Sequence, residues 1–266
     1  MSNFQNKTVL ITGGVSGTGK IMGLLALERG AKLVIWDVNR QGINDVVAEF
    51  SRLGKVCGYH VDLSDTEQIA NTAKQVKEQF GTVDILINCA GIVVGKYFHE
   101  HSENDIHRTM SINADAPMFV TLAFLNGMMT RDSGHICNIA SAAGLISNPK
   151  MSVYVASKWA VVGWSDSLRI EMNRLRKNVR VTTVMPYYID TGMFEGVQSL
   201  IPVLKPEKVA RKIIRAIERN RIFLDIPPIY KILRLLQGIL PVCVFDRFVG
   251  GLLGIYKTMD HFTGRK

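Results

Sequence analysis

Short apolar runs rich in Val and Ile alternate along this chain with longer segments of helical period. The runs predict seven strands: Thr8 to Thr12, Lys32 to Asp37, Val56 to Val61, Val83 to Asn88, Ile136 to Ser141, Val179 to Met185 and Ile222 to Ile226. The helical segments include Lys20 to Arg29, Arg40 to Leu53, Thr66 to Phe80, Asn104 to Arg131, Val155 to Arg176 and Pro206 to Arg219. Near-continuous apolar strands separated by helices are typical of a parallel sheet covered on both faces. We therefore expect a doubly wound α/β fold, with its ligand outside the carboxyl ends of the strands.

Composition bounds the number of domains and the location of the protein. The 266 residues are 47% apolar and 21% charged, so we expect residues 1–266 to form a single domain, with 227–266 as a C-terminal helical extension. Four cysteines are scattered without the spacing of a disulfide framework or a metal site. The first residues lack the charged and apolar regions of a signal peptide. These features favour a reducing, cytoplasmic location and predict no bound metal.

A glycine-rich turn follows the first predicted strand and leads into the first helix. Four of the eight residues from Thr12 to Gly19 are glycine, which in this context favours a nucleotide-binding turn of the Rossmann type. Glycine lets the backbone approach a pyrophosphate, and the helix N-terminus offers free N–H groups to it. The alternative is an ordinary tight turn. The residues predicted to bind the dinucleotide here are Gly13, Val15, Ser16, Gly17, Thr18 and Gly19.

The next three predicted strands end in further polar residues at the same edge of the sheet. Asp37 ends the second strand, 18 residues after Gly19, where a carboxylate binds ribose hydroxyls and repels a 2′-phosphate. This favours NAD over NADP, although Arg40 offers a charge to a phosphate. Taken singly, the later strand ends are also typical of ordinary capped turns. The residues predicted to complete this part of the site are Asp62, Leu63, Asn88, Ala90 and Gly91.

Tyr154 and Lys158 form a pair suited to moving a proton. On a helix they are four residues apart and share one face. Free tyrosine titrates near ~10, so a cation that favoured the phenolate by about three units would contribute roughly 4 kcal/mol towards a base near neutral pH. Ser141 adds a hydroxyl thirteen residues earlier. The pair alone is common on solvated helices, and its significance depends on the rest of the chain.

Together these motifs resemble the short-chain dehydrogenase/reductase family in order and spacing, over roughly residues 5–225. The residues that carry the resemblance are Thr12 to Gly19, Asn88 to Gly91, Asn113, Ser141 and Tyr154 to Lys158. The resemblance implies that the Tyr is the general acid/base and that the Lys binds the nicotinamide ribose and lowers the pKa of the Tyr. It also implies that the Ser orients the substrate oxygen and that the Asn holds a proton-relay water. Asn113 considered alone is equally typical of an amide that satisfies backbone groups inside a helix.

Three positions depart from the family pattern, and one segment indicates a branch of the family. Thr18 and Cys89 replace the usual Ile and Asn, and Tyr187 follows Pro186 where the family most often has Gly. Ile189 and Thr191 match the positions that cover the carboxamide of the cofactor. The segments Met185 to Phe194 and Met259 to Phe262 resemble retinol dehydrogenases and 17-beta-hydroxysteroid dehydrogenases. This branch implies a lipophilic alcohol or carbonyl substrate, in contact with Ser141, Tyr187 and Met193.

Two other functions remain open at this point. One is an NADP-dependent carbonyl reductase of the same family, and the other is a catalytically silent dinucleotide-binding scaffold at a lipid surface. A hydrolase is disfavoured because the chain has no G-x-S-x-G turn.

The positive charge is concentrated in the C-terminal quarter. Residues 201–266 hold 13 Lys and Arg against 5 Asp and Glu, yet they carry no recognisable nucleic-acid-binding module. Ile229 to Leu240 is a strongly apolar helical segment, too short to span a bilayer and ended by Pro241. It predicts a lid over the site, a contact between subunits or a peripheral contact with a membrane surface. Apolar faces on Ala114 to Arg131 and Val155 to Arg176 predict a homodimer or homotetramer.

Overall fold

Seven parallel strands form one sheet in the computed structural model, which describes residues 2–264. The strands are β1 (Thr8–Thr12), β2 (Lys32–Asp37), β3 (Val56–His60), β4 (Ile85–Asn88), β5 (Gly134–Ile139), β6 (Val179–Pro186) and β7 (Phe223–Ile226). Their order in the sheet is β3-β2-β1-β4-β5-β6-β7. The predicted doubly wound parallel fold is confirmed. Met1, Arg265 and Lys266, which the single-domain prediction includes, lie outside the described residues.

Helices cover both faces of this sheet. They are α1 (Gly17–Leu27), α2 (Arg40–Phe50), α3 (Thr66–Phe80), α4 (Glu103–Met110), α5 (Ala116–Thr130), α6 (Ser152–Arg174), α7 (Pro206–Glu218), α8 (Ile229–Ile239) and α9 (Val242–Asp246). Val9 and Ile11 point to a core shared with α1, α2 and α7, whereas Leu10 points to a second core shared with α3, α5 and α6. This alternation is the period of two that a strand requires. The sheet is therefore buried on both faces.

Two predicted boundaries change in ways that matter for the site. The helix predicted from Lys20 begins at Gly17, so the last glycines of the turn belong to the first turn of α1. The strand predicted to run through Ser141 ends at Ile139, and Ser141 instead caps a short 3-10 turn. In both cases the polar groups concerned, the N–H groups at the start of α1 and the Ser141 hydroxyl, lie beyond the carboxyl ends of the strands, where a ligand can reach them.

The helix predicted from Asn104 to Arg131 is interrupted. A π turn, Ser111–Asp115, separates α4 from α5. Asn113 lies within this turn, and its side chain binds both main-chain groups of Ile92: its Oδ1 accepts the N–H at 2.8 Å and its Nδ2 donates to the carbonyl at 2.9 Å. The π turn is thus tied to the segment that follows β4.

The C-terminal extension packs beside the carboxyl edge of the sheet. A π turn, Arg247–Leu252, and a 3-10 turn, Ile255–Lys257, follow α9. Side chains of the extension share a buried cluster with Tyr187 and Tyr188; they are Tyr230, Leu233, Phe245, Val249, Ile255 and Met259. No helix within residues 2–264 is long and apolar enough to cross a membrane.

Candidate active site

A cleft with a volume of about 320 Å³ runs along the carboxyl ends of the strands. The order of the strands reverses at this edge, since β1 lies between β2 and β4. The ends of β1 to β6 all contribute to the wall. Predicted site residues that line the cleft are Gly13, Ser16, Gly17, Thr18, Gly19, Asp37, Asp62, Leu63, Ala90, Gly91, Ser141, Tyr154, Lys158, Pro186, Tyr187, Ile189, Thr191 and Met193. A ligand site at the switch in strand order is what this fold favours.

The glycine-rich turn leaves backbone donors open to the cleft. Gly13 has a φ of +70°, and a Cβ there would lie 2.9 Å from the Cα of Ala90. A Cβ on Gly19 would lie 2.1 Å from the carbonyl oxygen of Gly13. No side chain caps the N-terminus of α1, so its first N–H groups remain available to an anion. These residues fit the pyrophosphate of a dinucleotide.

Asp37 is held at the cleft by the main chain. One carboxylate oxygen accepts the N–H of Val15 at 3.3 Å, and the other accepts the N–H of Asn39 at 3.1 Å. Arg40 begins α2 and is exposed. A carboxylate fixed in this way is placed to accept hydrogen bonds from ribose hydroxyls.

Asp62 is fixed at the adjacent strand end in a similar way. Its carboxylate accepts hydrogen bonds from the hydroxyl and the N–H of Ser64, at 2.7 and 2.9 Å. These two bonds lower the pKa of Asp62, with a smaller contribution from Arg108. The group therefore stays charged where it borders the cleft.

Tyr154, Lys158 and Ser141 meet at the other end of the cleft. Tyr154 and Lys158 lie one turn apart on α6 and are both buried. The Lys158 ammonium is 5.7 Å from the centre of the Tyr154 ring and donates to the carbonyl of Ile139 at 3.1 Å. The Ser141 Oγ accepts the N–H of Ala143 at 3.1 Å. This bond occupies an acceptor of the serine and leaves its hydroxyl hydrogen free to donate.

Burial dominates the acid–base properties of this group. It raises the pKa of Tyr154 to about 12, while the Ser141 hydroxyl acts in the opposite direction. Burial also lowers the pKa of Lys158 to about 8, and Cys89 opposes that shift. Desolvation therefore sets the direction of the Tyr154 pKa shift in this arrangement, and the lowering by Lys158 that the resemblance implied stays a prediction. Tyr154 carries its proton at neutral pH.

A family model described as short chain dehydrogenase matches residues 7–200. The chain belongs to the short-chain dehydrogenase family. It is therefore an NAD(P)-dependent oxidoreductase that acts on CH–OH groups. Epidermal retinol dehydrogenase 2 of Mus musculus is 36% identical, and the alignment covers 99% of this chain and 87% of that protein. Estradiol 17-beta-dehydrogenase 11 of Pongo abelii is also 36% identical, over 92% of this chain and 81% of that protein. The expected branch of the family is confirmed.

Solved short-chain dehydrogenases share the fold. A member from Burkholderia phymatum, in complex with NAD, has a TM-score of 0.82 and 27% identity, and the match covers 90% of this chain and 95% of the other. A metagenomic short-chain oxidoreductase, in complex with NADP, has a TM-score of 0.71 and 25% identity, over 84% of this chain and 96% of the other. These similarities support a dinucleotide cofactor without deciding between the two forms.

Three of the predicted site residues of this short-chain dehydrogenase do not line the cleft. Val15 contributes only its N–H, which holds Asp37. Asn88 points into the sheet, where its Nδ2 donates to Asn138 at 2.7 Å and to Thr121 at 3.1 Å. Asn113 binds the main chain of Ile92 through both amide atoms, and its Nδ2 also donates to the hydroxyl of Ser157 at 3.2 Å. These three side chains lie outside the lining of the cleft, and their predicted roles toward a cofactor or a relay water stay predictions.

Several residues that the sequence analysis did not select also line the cleft. They are Val38, Val61, Cys89, Ile92, Arg108, Ile112, Ile139, Ala140 and Phe194. Most of them are next in sequence to predicted residues at the strand ends, and this proximity is the one feature of the sequence that could have identified them. Arg108 and Ile112 come from α4 and the π turn, and no motif in the sequence marks them. Phe194 meets Tyr154 edge to face, with 6.0 Å between the ring centres, and forms part of the apolar wall beside it.

Within residues 2–264 no group of three His, Cys, Asp or Glu side chains is placed to hold a metal ion. The polar groups of the cleft are hydroxyls, the Lys158 ammonium, the Arg108 guanidinium, the Cys89 thiol, carboxylates and backbone N–H groups, and they suit a dinucleotide and an alcohol.

Proposed function

We propose that this short-chain dehydrogenase interconverts a lipophilic alcohol and its carbonyl compound with NAD(H) as the cofactor. The observation that carries the proposal is the position of the Ser141 and Tyr154 hydroxyls. They line the same cleft as the glycine-rich turn and the side chains of Tyr187, Met193 and Phe194, and the ring of Phe194 contacts that of Tyr154. A polar pair at the edge of an apolar wall fits a substrate with a single oxygen on a hydrocarbon body.

The proton route follows from the geometry of these side chains. When bound, the dinucleotide supplies the hydride chemistry of the reaction. For reduction, Ser141 donates a hydrogen bond to the substrate oxygen and Tyr154, protonated at neutral pH, donates its proton to that oxygen. For oxidation, Tyr154 first releases its proton to solvent and then, as the phenolate, accepts the proton of the alcohol. Lys158 carries a positive charge beside the phenol and stabilises the phenolate that reduction leaves behind.

The preference for NAD rests on Asp37. A carboxylate held by two main-chain N–H groups accepts hydrogen bonds from both ribose hydroxyls, whereas the negative charge of the carboxylate would repel a 2′-phosphate placed there.

In the proposed mechanism Asn113 supports the backbone beside Lys158. It ties the π turn to Ile92, next to Gly91, where an added Cβ would lie 3.6 Å from the Lys158 ammonium.

The substrate class is inferred from the wall of the cleft and from the relatives. Tyr187, Met193, Phe194 and Ile92 offer apolar and aromatic surface beside the hydroxyl pair. The names of the two relatives specify retinol and estradiol, both mostly hydrocarbon with a reactive hydroxyl group. A retinoid, a steroid, a long-chain alcohol or a keto-lipid meets the same requirements.

We also propose that the enzyme acts as one domain in the cytoplasm and assembles as a homodimer or homotetramer. Apolar side chains on the outer faces of α5 and α6 support assembly: Phe119, Leu122, Trp159 and Ile170 are all more than 40% exposed. Joining such faces removes apolar surface from water.

Absorbance at 340 nm tests the proposed function directly. The purified protein would be assayed with retinol, a steroid alcohol, a long-chain alcohol and a short water-soluble alcohol, each with NAD and with NADP. We expect the rise in absorbance to be fastest with NAD and a lipophilic alcohol. A higher kcat/KM for the short alcohol than for every lipophilic one would contradict the proposed substrate class.

A further inference from the structure

The outer side of the C-terminal extension exposes a run of large aliphatic side chains. We call the surface formed by Ile232, Leu235, Ile239, Val242 and Leu252 the docking face. Their exposed fractions are 53, 62, 68, 76 and 70%, respectively. Isolated apolar residues are normal on a surface, but a set this large within 21 residues of chain marks an interaction site.

The geometry of α8 explains why this face is left outside the core. Tyr230 and Leu233 point inward and are buried against the cluster that contains Tyr187. Ile232, Leu235 and Ile239 are spaced by three and four residues, so they lie together on a different side of the helix. The helix is therefore apolar over more of its circumference than its contact with the core can cover.

Basic side chains border the docking face. Lys231 and Arg234 are exposed on α8, and Arg247 is exposed at the start of the π turn after α9. Of the acidic groups nearby, Asp225 is buried and lies 4.0 Å from Lys231, and Asp246 accepts a hydrogen bond from the Tyr256 hydroxyl. An exposed apolar strip with a basic border is complementary to a bilayer that carries anionic headgroups.

We infer that the docking face binds the surface of an anionic lipid bilayer, with its aliphatic side chains inserted among the acyl chains and its basic border against the headgroups. A second copy of this chain is the less favourable occupant. Two such faces would bring the basic borders of both copies together, and like charges at an interface oppose association.

Docking in this orientation affects how a lipophilic substrate reaches the cleft, an inference that rests on the proposed function. The ring of Tyr230, on the inner side of α8, lies 5.5 Å from the ring of Tyr187, which lines the substrate end of the cleft. On α8, the docking face is thus separated from that part of the cleft by the thickness of one helix. A protein docked in this way holds its apolar cleft beside the bilayer from which a lipophilic substrate comes.

Co-sedimentation of the full chain with vesicles tests the inference. The docking variant is Leu235→Gln/Ile239→Gln, and its matched control is Leu53→Gln/Leu175→Gln, which changes two leucines exposed elsewhere. The charge variant is Arg234→Gln/Arg247→Gln, matched by Arg52→Gln/Arg174→Gln, which removes the same charge from another exposed region. Vesicles are phosphatidylcholine alone or phosphatidylcholine with about 30% phosphatidylserine.

We expect the wild-type protein and both controls to pellet with the anionic vesicles. The partition coefficient should fall at least about tenfold for the docking variant and several-fold for the charge variant. Equal partitioning of docking variant and control would overturn the inference, as would equal pelleting on the two kinds of vesicle. Light scattering without vesicles supplies a further check, since a lower molecular mass for the docking variant alone would assign this face to a contact between copies.

Pelleting with vesicles does not depend on turnover, so the test of membrane binding can succeed or fail independently of the proposed function. Turnover of a short water-soluble alcohol, measured on the same preparations, should be equal for the wild-type protein and all four variants. Loss of membrane binding with that turnover intact supports the docking face, whatever the natural substrate is.

Discussion

The chemistry of this enzyme depends on how single residues balance burial against charge. The spacing of Tyr154 and Lys158 places an ammonium near a phenol, yet burial raises the pKa of Tyr154 to about 12 and lowers that of Lys158 to about 8. Spacing along a helix fixes which groups are neighbours, whereas desolvation depends on everything packed around them. In this protein the tyrosine is an acid at neutral pH before any substrate is bound.

Asp37→Ser tests the cofactor preference at a single residue. The change removes the charged acceptor for the ribose hydroxyls and the repulsion of a 2′-phosphate. A hydrogen bond to a charged group contributes about 1.5–3 kcal/mol, so the ratio of kcat/KM with NAD to kcat/KM with NADP should fall at least about tenfold. Initial rates with the two cofactors measure this ratio. Asp45→Ser, on the exposed part of α2, is the control, and an unchanged ratio in Asp37→Ser would exclude Asp37 as the selector.

The residue types at the strand ends were predictable from sequence, but the directions of their side chains were not. Asp37 and Ser141 line the cleft as expected. Asn88 instead donates from its Nδ2 to Asn138 on the adjacent strand, which satisfies the buried amide nitrogen. Cys89, next along the chain, lines the cleft in its place. No local pattern distinguishes these two outcomes.

At the scale of elements, the order of strands and helices was readable from periodicity, and the π turn was not. Asn104 to Arg131 keeps a helical period, and Pro117, at the start of α5, marks an interruption without specifying a π turn. The interruption at Ser111–Asp115 accompanies a tertiary contact between Asn113 and the main chain of Ile92. The same contact supports the segment that carries Gly91 beside Lys158.

Asn113→Ala tests how much the contact between Asn113 and Ile92 contributes to the stability of the fold. The substitution leaves the half-buried N–H and carbonyl of Ile92 without their partner, and each unsatisfied group costs about 1–3 kcal/mol. The free energy of unfolding should therefore fall by about 2–4 kcal/mol, as measured by urea denaturation. Asn126→Ala, on the exposed side of α5, should change it by less than about 0.5 kcal/mol. Equal changes in the free energy of unfolding for the two substitutions would show that the contact with Ile92 does not stabilise the fold.

At the scale of the whole molecule, the two edges of the sheet serve different purposes. The carboxyl edge carries the cleft, and the amino edge is held by a buried polar group around His135. His135 Nε2 lies 2.8 Å from the Thr182 hydroxyl, and its Nδ1 lies 3.0 Å from the Ser2 hydroxyl. Burial, helped by Arg180, lowers the pKa of His135 to about 3. The sheet therefore carries an acid-sensitive group at the edge opposite the site.

This shift predicts how stability depends on pH. The pKa of His135 is lower in the folded protein than the ~6.5 of an unfolded chain, so the unfolded chain takes up the proton first as the pH falls. The stabilisation is complete above about pH 6.5 and is lost between there and about pH 3. His135 alone should account for about 2.5 kcal/mol of lost stability between pH 7 and pH 4.5. Urea denaturation at both pH values measures the loss in wild type and in His135→Gln.

The histidine variant should be less stable at pH 7 but lose less stability on acidification than the wild-type protein. His107→Gln, at an exposed position on α4, is the control and should follow the wild-type curve. Parallel curves for the wild-type protein and His135→Gln would mean that another group carries the acid sensitivity.

The central claim is that Tyr154 transfers the proton to and from the substrate oxygen, and Tyr154→Phe tests it most directly. The substitution removes one hydroxyl and keeps the ring packed against Phe194. We predict that the variant binds NADH as the wild-type protein does, by titration of nucleotide fluorescence, and that its kcat falls at least ~100-fold. Tyr188→Phe removes a buried hydroxyl bonded to Asn148 and Thr258, outside the lining of the cleft, and should retain turnover. Undiminished kcat in Tyr154→Phe would contradict the account.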